Sequence, residues 1–230
     1  MKTALVMCAR AAGDGAAAAK SLRQCADGFD FVEVAGAGSI GAGYNQALDM
    51  TDADILLFSH TDARFLSGPR LFELLVQQAA NPSTGFIGVA GATGLGPDAI
   101  WWEAPKSGYA LRGAVIHETA QGTFPLPLGA FGPAVALDGL LLAIARDKLR
   151  ALGPWPEDGW HFYDVEMSFR AHQAGLVNEV VLFPMLHGPG ELDAGWETAR
   201  EAFVRRWHGQ LPSGLRPGTD HAPSYYQLLA

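Results

Sequence analysis

Short apolar runs alternate along this chain with stretches whose apolar residues fall at helical spacing. Thr3 to Cys8 is continuously apolar and predicts a first buried strand. Ala16 to Cys25 is Ala-rich, carries Lys20 and Arg23, and predicts a helix. Phe31 to Ala35 predicts a second strand. The glycine turn Gly36-Ala-Gly-Ser-Ile-Gly41 follows it, and Gly43 to Met50 predicts a helix. Ile55 to Ser59 predicts a third strand. Ser67 then caps a helix running to about Ala80, with Pro69 near its first turn and Leu71, Leu74 and Leu75 at helical spacing. Phe86 to Ala90 predicts a fourth strand. Strands and helices in this alternation predict a doubly wound α/β fold, three layers with a central, mostly parallel sheet.

The pattern changes after Ala90. From Gly91 to Pro133 the chain is rich in Gly and Pro, with Trp101, Trp102, Tyr109, His117 and Glu118 scattered through it. A stretch this long without periodicity reads as a functional excursion, with one short strand at Val115 to Glu118. Val135 to Ala145 is β-compatible except at Asp138 and Gly139, and Asp147 to Leu152 predicts a short helix. Gly159 to Ala174 predicts a helix stopped by Gly175, and Val177 to Leu186 a last strand ending at His187. Ala194 to Trp207 predicts a final amphipathic helix. Residues 1–210 read as one domain and 211–230 as a Pro- and Gly-rich tail.

Composition narrows the function classes. The chain has 230 residues, 49% of them hydrophobic, and a net charge of -8. That suffices for one sizeable core. No Lys/Arg run occurs, which argues against a nucleic-acid surface or a polybasic anchor. Cys8 and Cys25 are the only cysteines and lack metal-ligand spacing, so a reducing, cytoplasmic setting is expected. No apolar stretch is long enough to span a bilayer, and no signal peptide is read at the N-terminus. Peripheral membrane contact and oligomerisation stay open.

Candidate chemistry concentrates at Asp54-Ile-Leu-Leu-Phe-Ser-His-Thr-Asp62, where an apolar strand turns abruptly polar. Ligands of open α/β sheets sit outside the carboxyl ends of strands, so Asp62 and His60 are placed to face one. An acid there can equally cap a turn. Gly36-Ala-Gly38-Ser-Ile-Gly41 competes for the ligand. It satisfies the dinucleotide fingerprint, follows a predicted strand and opens a helix, with Asp62 about 20 residues beyond. On that reading the protein is an NAD(P)-dependent oxidoreductase. A preceding strand and helix weigh against it, because the fingerprint normally sits on the first strand of its sheet.

Three segments together resemble a family-2-type glycosyltransferase of the GT-A fold. They are Gly41-Ala-Gly-Tyr-Asn45-Gln-Ala-Leu, Ile55-Leu-Leu-Phe-Ser-His60-Thr-Asp62 and Gly159-Trp-His-Phe-Tyr-Asp164-Val-Glu-Met-Ser-Phe-Arg170. Asp138-Gly139, followed by an apolar strand and Arg146, is similar to the family's element before the third. The resemblance covers residues 1–190 and rests on order and spacing. It implies transfer of a sugar from a UDP- or GDP-type donor to a glycan or other hydroxyl acceptor, assisted by Mn2+ or Mg2+. It implies Asp62 and His187 as metal ligands, His60 on metal or phosphate, and Asp164 as the base, with His161 on the same helix face. Glu33 and Asn45 become nucleotide contacts, and Trp101, Trp102 and Trp160 stack on the acceptor. Glu166 is expected to be solvated or to cap. The chain departs from the family at His60, where the first acid of D-x-D stands, at Tyr163 in place of the Glu of a Glu-Asp pair, and at the acid-poor end of the second strand. A non-catalytic relative that binds a glycan or a partner protein is therefore a third reading.

Overall fold

A computed structural model describes residues 1–188 and 193–219. In chain order it contains β1 (Thr3–Ala9), α1 (Ala16–Leu22), β2 (Phe29–Ala35), α2 (Ile40–Leu48), β3 (Ile55–Ser59), β4 (Arg64–Phe65), α3 (Pro69–Ala80), β5 (Thr84–Gly88), β6 (Ala90–Ala92) and β7 (Gly94–Leu95). A 3-10 helix (Trp101–Ser107) precedes β8 (Leu111–Thr119), β9 (Gly122–Gly129), β10 (Gly132–Ala134), β11 (Ala136–Leu137) and β12 (Leu141–Ala145). Then come α4 (Arg146–Leu152), α5 (Tyr163–Gln173), β13 (Val177–Val180), β14 (Met185–His187), α6 (Ala194–Trp207) and β15 (Ser213–Gly214).

The central sheet has the order β10-β13-β5-β12-β3-β1-β2. Strands β1, β2, β3, β5 and β13 run one way, and β12 and β10 run against them. Every residue of β1, β3, β5 and β12 is buried, as expected of strands covered on both faces. Side chains alternate across β1: Leu5 and Met7 enter the core on one face, and Ala4, Val6 and Cys8 the core on the other. A second sheet, β11-β6-β8-β14-β4 with β9 on β8, supplies the elements that meet over the functional end. The mixed α/β architecture with a mostly parallel sheet is the one the sequence pattern predicts. Strand direction was not legible, so β12 between β3 and β5 is new.

Several boundaries moved for identifiable reasons. The apolar run over 177–186 is two strands, β13 in the central sheet and β14 in the second, because the chain changes sheets between them. The aperiodic excursion hides a β8–β9 hairpin. Pro125 and Pro127 in β9 mask it, and an edge strand tolerates them. Helix α5 begins at Tyr163 rather than near 159, because Phe162 holds φ +63° and Gly159 φ +129°. Residues 213–214 of the expected tail pair as β15 with β7, and residues 220–230 lie outside the described residues.

The glycine turn serves packing. A Cβ on Gly41 would lie 1.7 Å from the Pro156 carbonyl oxygen. The Ile40 amide at the start of α2 donates to the Gly159 carbonyl at 3.3 Å. Chain 156–159 thus covers the helix end where a dinucleotide fingerprint would seat its pyrophosphate. The oxidoreductase reading is corrected: Gly41, the last glycine of the turn, admits a neighbouring strap of backbone.

Glu166 is the second correction. It is 1% exposed, so it is neither solvated nor a cap. Its carboxylate accepts from Arg170 Nε at 2.8 Å and Trp207 Nε1 at 3.0 Å, and pairs with Arg206 at 2.9 Å. It ties α6 to α5 behind the site. Glu166→Ala should cost about 1.5–3 kcal/mol, the worth of a charged hydrogen-bond set whose arginines can still reach water. Urea unfolding should show a lower midpoint at unchanged slope.

Candidate active site

A cavity of about 580 Å³ opens where the two sheets meet. Strand β3 ends at Ser59, and the chain leaves the sheet with His60 and Asp62 facing the cavity. Strand β14 delivers His187 to the same floor. Gly188 follows, and a Cβ there would sit 2.8 Å from Asp62 Oδ2, so glycine lets Asp62 lie against the chain. Arg10 enters from the end of β1, Asp138 from the β11–β12 turn, and Asp164 from the first turn of α5. Trp102 and Trp196 stack at 5.4 Å, and Trp196 and Phe162 at 5.6 Å, forming an aromatic wall.

His60 Nδ1 lies 3.3 Å from His187 Nε2. Asp62 stands 4.0 Å from the first and 3.9 Å from the second. One ligand atom from each of the three lies within 4.8 Å of the others. Ligands at right angles on a common small divalent ion are about 3 Å apart, so modest closure would seat one. Two imidazoles and a carboxylate suit Mn2+ or a related ion, with room left for phosphate oxygens. Burial, and then the neighbouring His187, push the His60 imidazole below its ordinary value, so it is held neutral as a ligand must be. Its Nε2 meets the Tyr163 hydroxyl at 2.7 Å.

Asp164 is the second centre. Its Oδ1 accepts from the Val165 amide at 2.8 Å. Burial, and then the Asp138 carboxylate, raise it to about 7 against the opposing backbone amides of Val165, Asp164 and Gly139. A carboxylate at that value can hold or release a proton near neutral pH. Outside this centre, His161 Nε2 lies 2.9 Å from Asp193 Oδ1, which also caps α6 at the Gly195 amide. The His161 bond is the main reason Asp193 is held low.

The cavity collects His60, Asp62, Trp101, Trp102, Trp160, His161, Asp164 and His187. Trp101 is 7% exposed and braces the wall, whereas Trp102 and Trp160 present 39% and 38% of their surfaces. His161 precedes α5, so it and Asp164 share the cavity without sharing a helix face. Two candidates lie elsewhere. Glu33 accepts from the Gly13 and Gly15 amides at 2.6 and 2.7 Å and holds the loop before α1. Asn45 clamps the Trp155 backbone through both its amide atoms and donates to Glu157. These bonds tie α2 to chain 155–157. The sequence reading had not singled out Arg10, Asp193 and Trp196; Tyr163 was visible only as a departure from the family, and Asp138 only beside its glycine.

A family model described as "Glycosyltransferase like family" matches residues 20–207. The chain belongs to that family. No curated protein matches the sequence. Among solved structures it is similar to GalNAc-T7 with UDP, GalNAc and Mn2+, at 10% identity and TM-score 0.61, over 90% of this chain and 48% of that one. It is similar to the mannosyltransferase PcManGT from Pyrobaculum calidifontis in complex with GDP-Man and Mn2+, at 13% identity and TM-score 0.53, over 94% of this chain and 66% of that one. It is also similar to residues 1–349 of S. aureus TarS, at 10% identity and TM-score 0.51, over 82% of this chain and 60% of that one. The chain spans roughly half to two-thirds of each of these relatives. At these identities the likeness shows the fold, a GT-A glycosyltransferase fold. Among the described residues of this family member, no helix is long and apolar enough to cross a membrane.

Proposed function

We propose that this family member transfers a sugar from a UDP- or GDP-type donor to an acceptor hydroxyl, with inversion and with help from Mn2+ or Mg2+. One observation carries the reading: the His60–Asp62–His187 cluster and the Asp164 carboxyl line a single cavity. The solved complexes of two neighbours, one with UDP and Mn2+ and the other with GDP-Man and Mn2+, support the donor class.

The roles follow from the donor set. His60, Asp62 and His187 would hold the cation, which when bound neutralises the diphosphate as it leaves. Arg10 is the only Lys or Arg among the described lining residues and adds positive charge where the diphosphate departs. Trp102 and Trp160, with Trp101 behind, offer apolar faces to an acceptor sugar. Asp164 takes the proton of the acceptor hydroxyl as its oxygen bonds to the anomeric carbon and the carbon–phosphate-oxygen bond breaks. His161 orients the acceptor, steadied by Asp193. Residues 1–210 form the transferase domain in this reading, with 211–230 as a tail. Two free, buried cysteines support a reducing, cytoplasmic setting.

Thermal unfolding with Mn2+, with UDP or GDP, and with both is the test. Saturation to about 100 times the dissociation constant should raise Tm by roughly 5–10 °C when metal and nucleotide are present together. Neither alone should approach that. No shift in any combination would favour a non-catalytic relative.

A further inference from the structure

We propose that Tyr163 is a positioning residue that holds the proton of His60 on Nε2, so that the Nδ1 lone pair is free for a divalent cation. The proposal rests on the metal reading above and deepens it. A neutral imidazole carries one N–H, and the partner of one nitrogen decides the state of the other. His60 Nδ1 is the nitrogen turned to the cluster, 3.3 Å from His187 Nε2 and 4.0 Å from Asp62 Oδ1. A proton there would find an acceptor in His187 Nε2 and shut the cation out. The Tyr163 hydroxyl, 2.7 Å from Nε2, is the competing acceptor that draws the proton to the far side of the ring.

The surroundings are built for that contact. A Cβ on Gly139 would lie 2.2 Å from the Tyr163 hydroxyl and 3.2 Å from His60 Nε2. Only glycine in the β11–β12 turn leaves room for the two to meet. Tyr163 is the first residue of α5 and is 4% exposed. Its ring stands edge-on to Tyr44 at 5.8 Å and lies 6.0 Å from Trp155. Among the described residues, the buried Tyr44 hydroxyl has no hydrogen-bond partner apart from Tyr163. It is the group to take the proton that Tyr163 turns away from His60. Without the phenol oxygen, a proton on Nε2 would be a buried donor lacking a partner, and the imidazole would turn over to the Nδ1–H form.

Two measurements on the intact chain test this. Imidazole ¹⁵N spectra of the metal-free protein should show His60 protonated on Nε2 in the wild type and on Nδ1 in Tyr163→Phe. Mn2+ titration should show a dissociation constant about 10–100-fold higher in Tyr163→Phe, as for loss of an orienting partner of a ligand. An Nδ1–H tautomer in the wild type overturns the proposal, as does an unchanged Mn2+ affinity in the variant. Should the wild type bind no Mn2+, the metal reading fails by itself. The spectra then decide, and retention of Nε2–H in Tyr163→Phe would refute the positioning role. A Tyr163→Phe chain that does not fold leaves the wild-type spectrum as the deciding result.

Discussion

Asp164→Asn should lower kcat by about 10²–10⁴-fold, the usual worth of a positioned general base. Mn2+ and donor affinity should stay within a few-fold of wild type, since the metal cluster does not use Asp164. The pH profile gives the sharper measurement. Burial and Asp138 hold Asp164 at about 7, and only the deprotonated carboxylate can accept the acceptor's proton. Activity should therefore be lost below pH 7, climb as pH rises through about 7, and level off above. Asparagine does not titrate, so that limb should vanish in the variant. Asp138→Asn removes the second cause of the shift, so its limb should move to lower pH while the plateau survives. A wild-type rate in Asp164→Asn, or a limb that persists there, would remove the base assignment.

The parts of this fold readable beforehand are those where burial writes itself into residue order. Fully covered strands such as β1 and β3 must be apolar throughout, and α6 must carry a stripe. Both therefore appear at nearly their final bounds. What stayed hidden depends on partners far along the chain. Strand β12 reads as apolar whether it runs with or against β3. Strand β9 hides behind Pro125 and Pro127 because its edge position removes the usual penalty. Gly41 satisfies a phosphate-binding pattern, yet its reason for being glycine is the Pro156 carbonyl more than 100 residues away. The same divide runs through the site. Asp62 and Asp164 announce themselves by following a strand and opening a helix. Glu166 two residues on looked solvated because Arg206 and Trp207 lie on another helix. The importance of Tyr163 emerges only when His60 and Gly139 are brought to it.

Removing the cation should cost more than any single change remote from it. Chelation should reduce turnover by about 10³-fold or more, because stabilising a departing diphosphate is worth several kcal/mol and each 1.36 kcal/mol is about tenfold in rate. Added Mn2+ should restore it. Asp62→Ala should reproduce the loss without chelator, since Asp62 is the one carboxylate of the cluster and only two imidazoles remain. Its Mn2+ affinity should fall by at least about 100-fold. His187→Ala should act in the same direction, as His187 Nε2 faces both His60 and Asp62. The two kinds of variant then separate cleanly. Asp164→Asn binds metal and donor but turns over slowly, whereas Asp62→Ala fails at metal binding and recovers in part as Mn2+ is raised. That recovery is the diagnostic feature, because a damaged fold would not respond to the ion. Full activity of the wild type in excess chelator, or of Asp62→Ala at ordinary Mn2+, would mean that these three side chains meet for a structural reason and that leaving-group stabilisation falls to Arg10 instead.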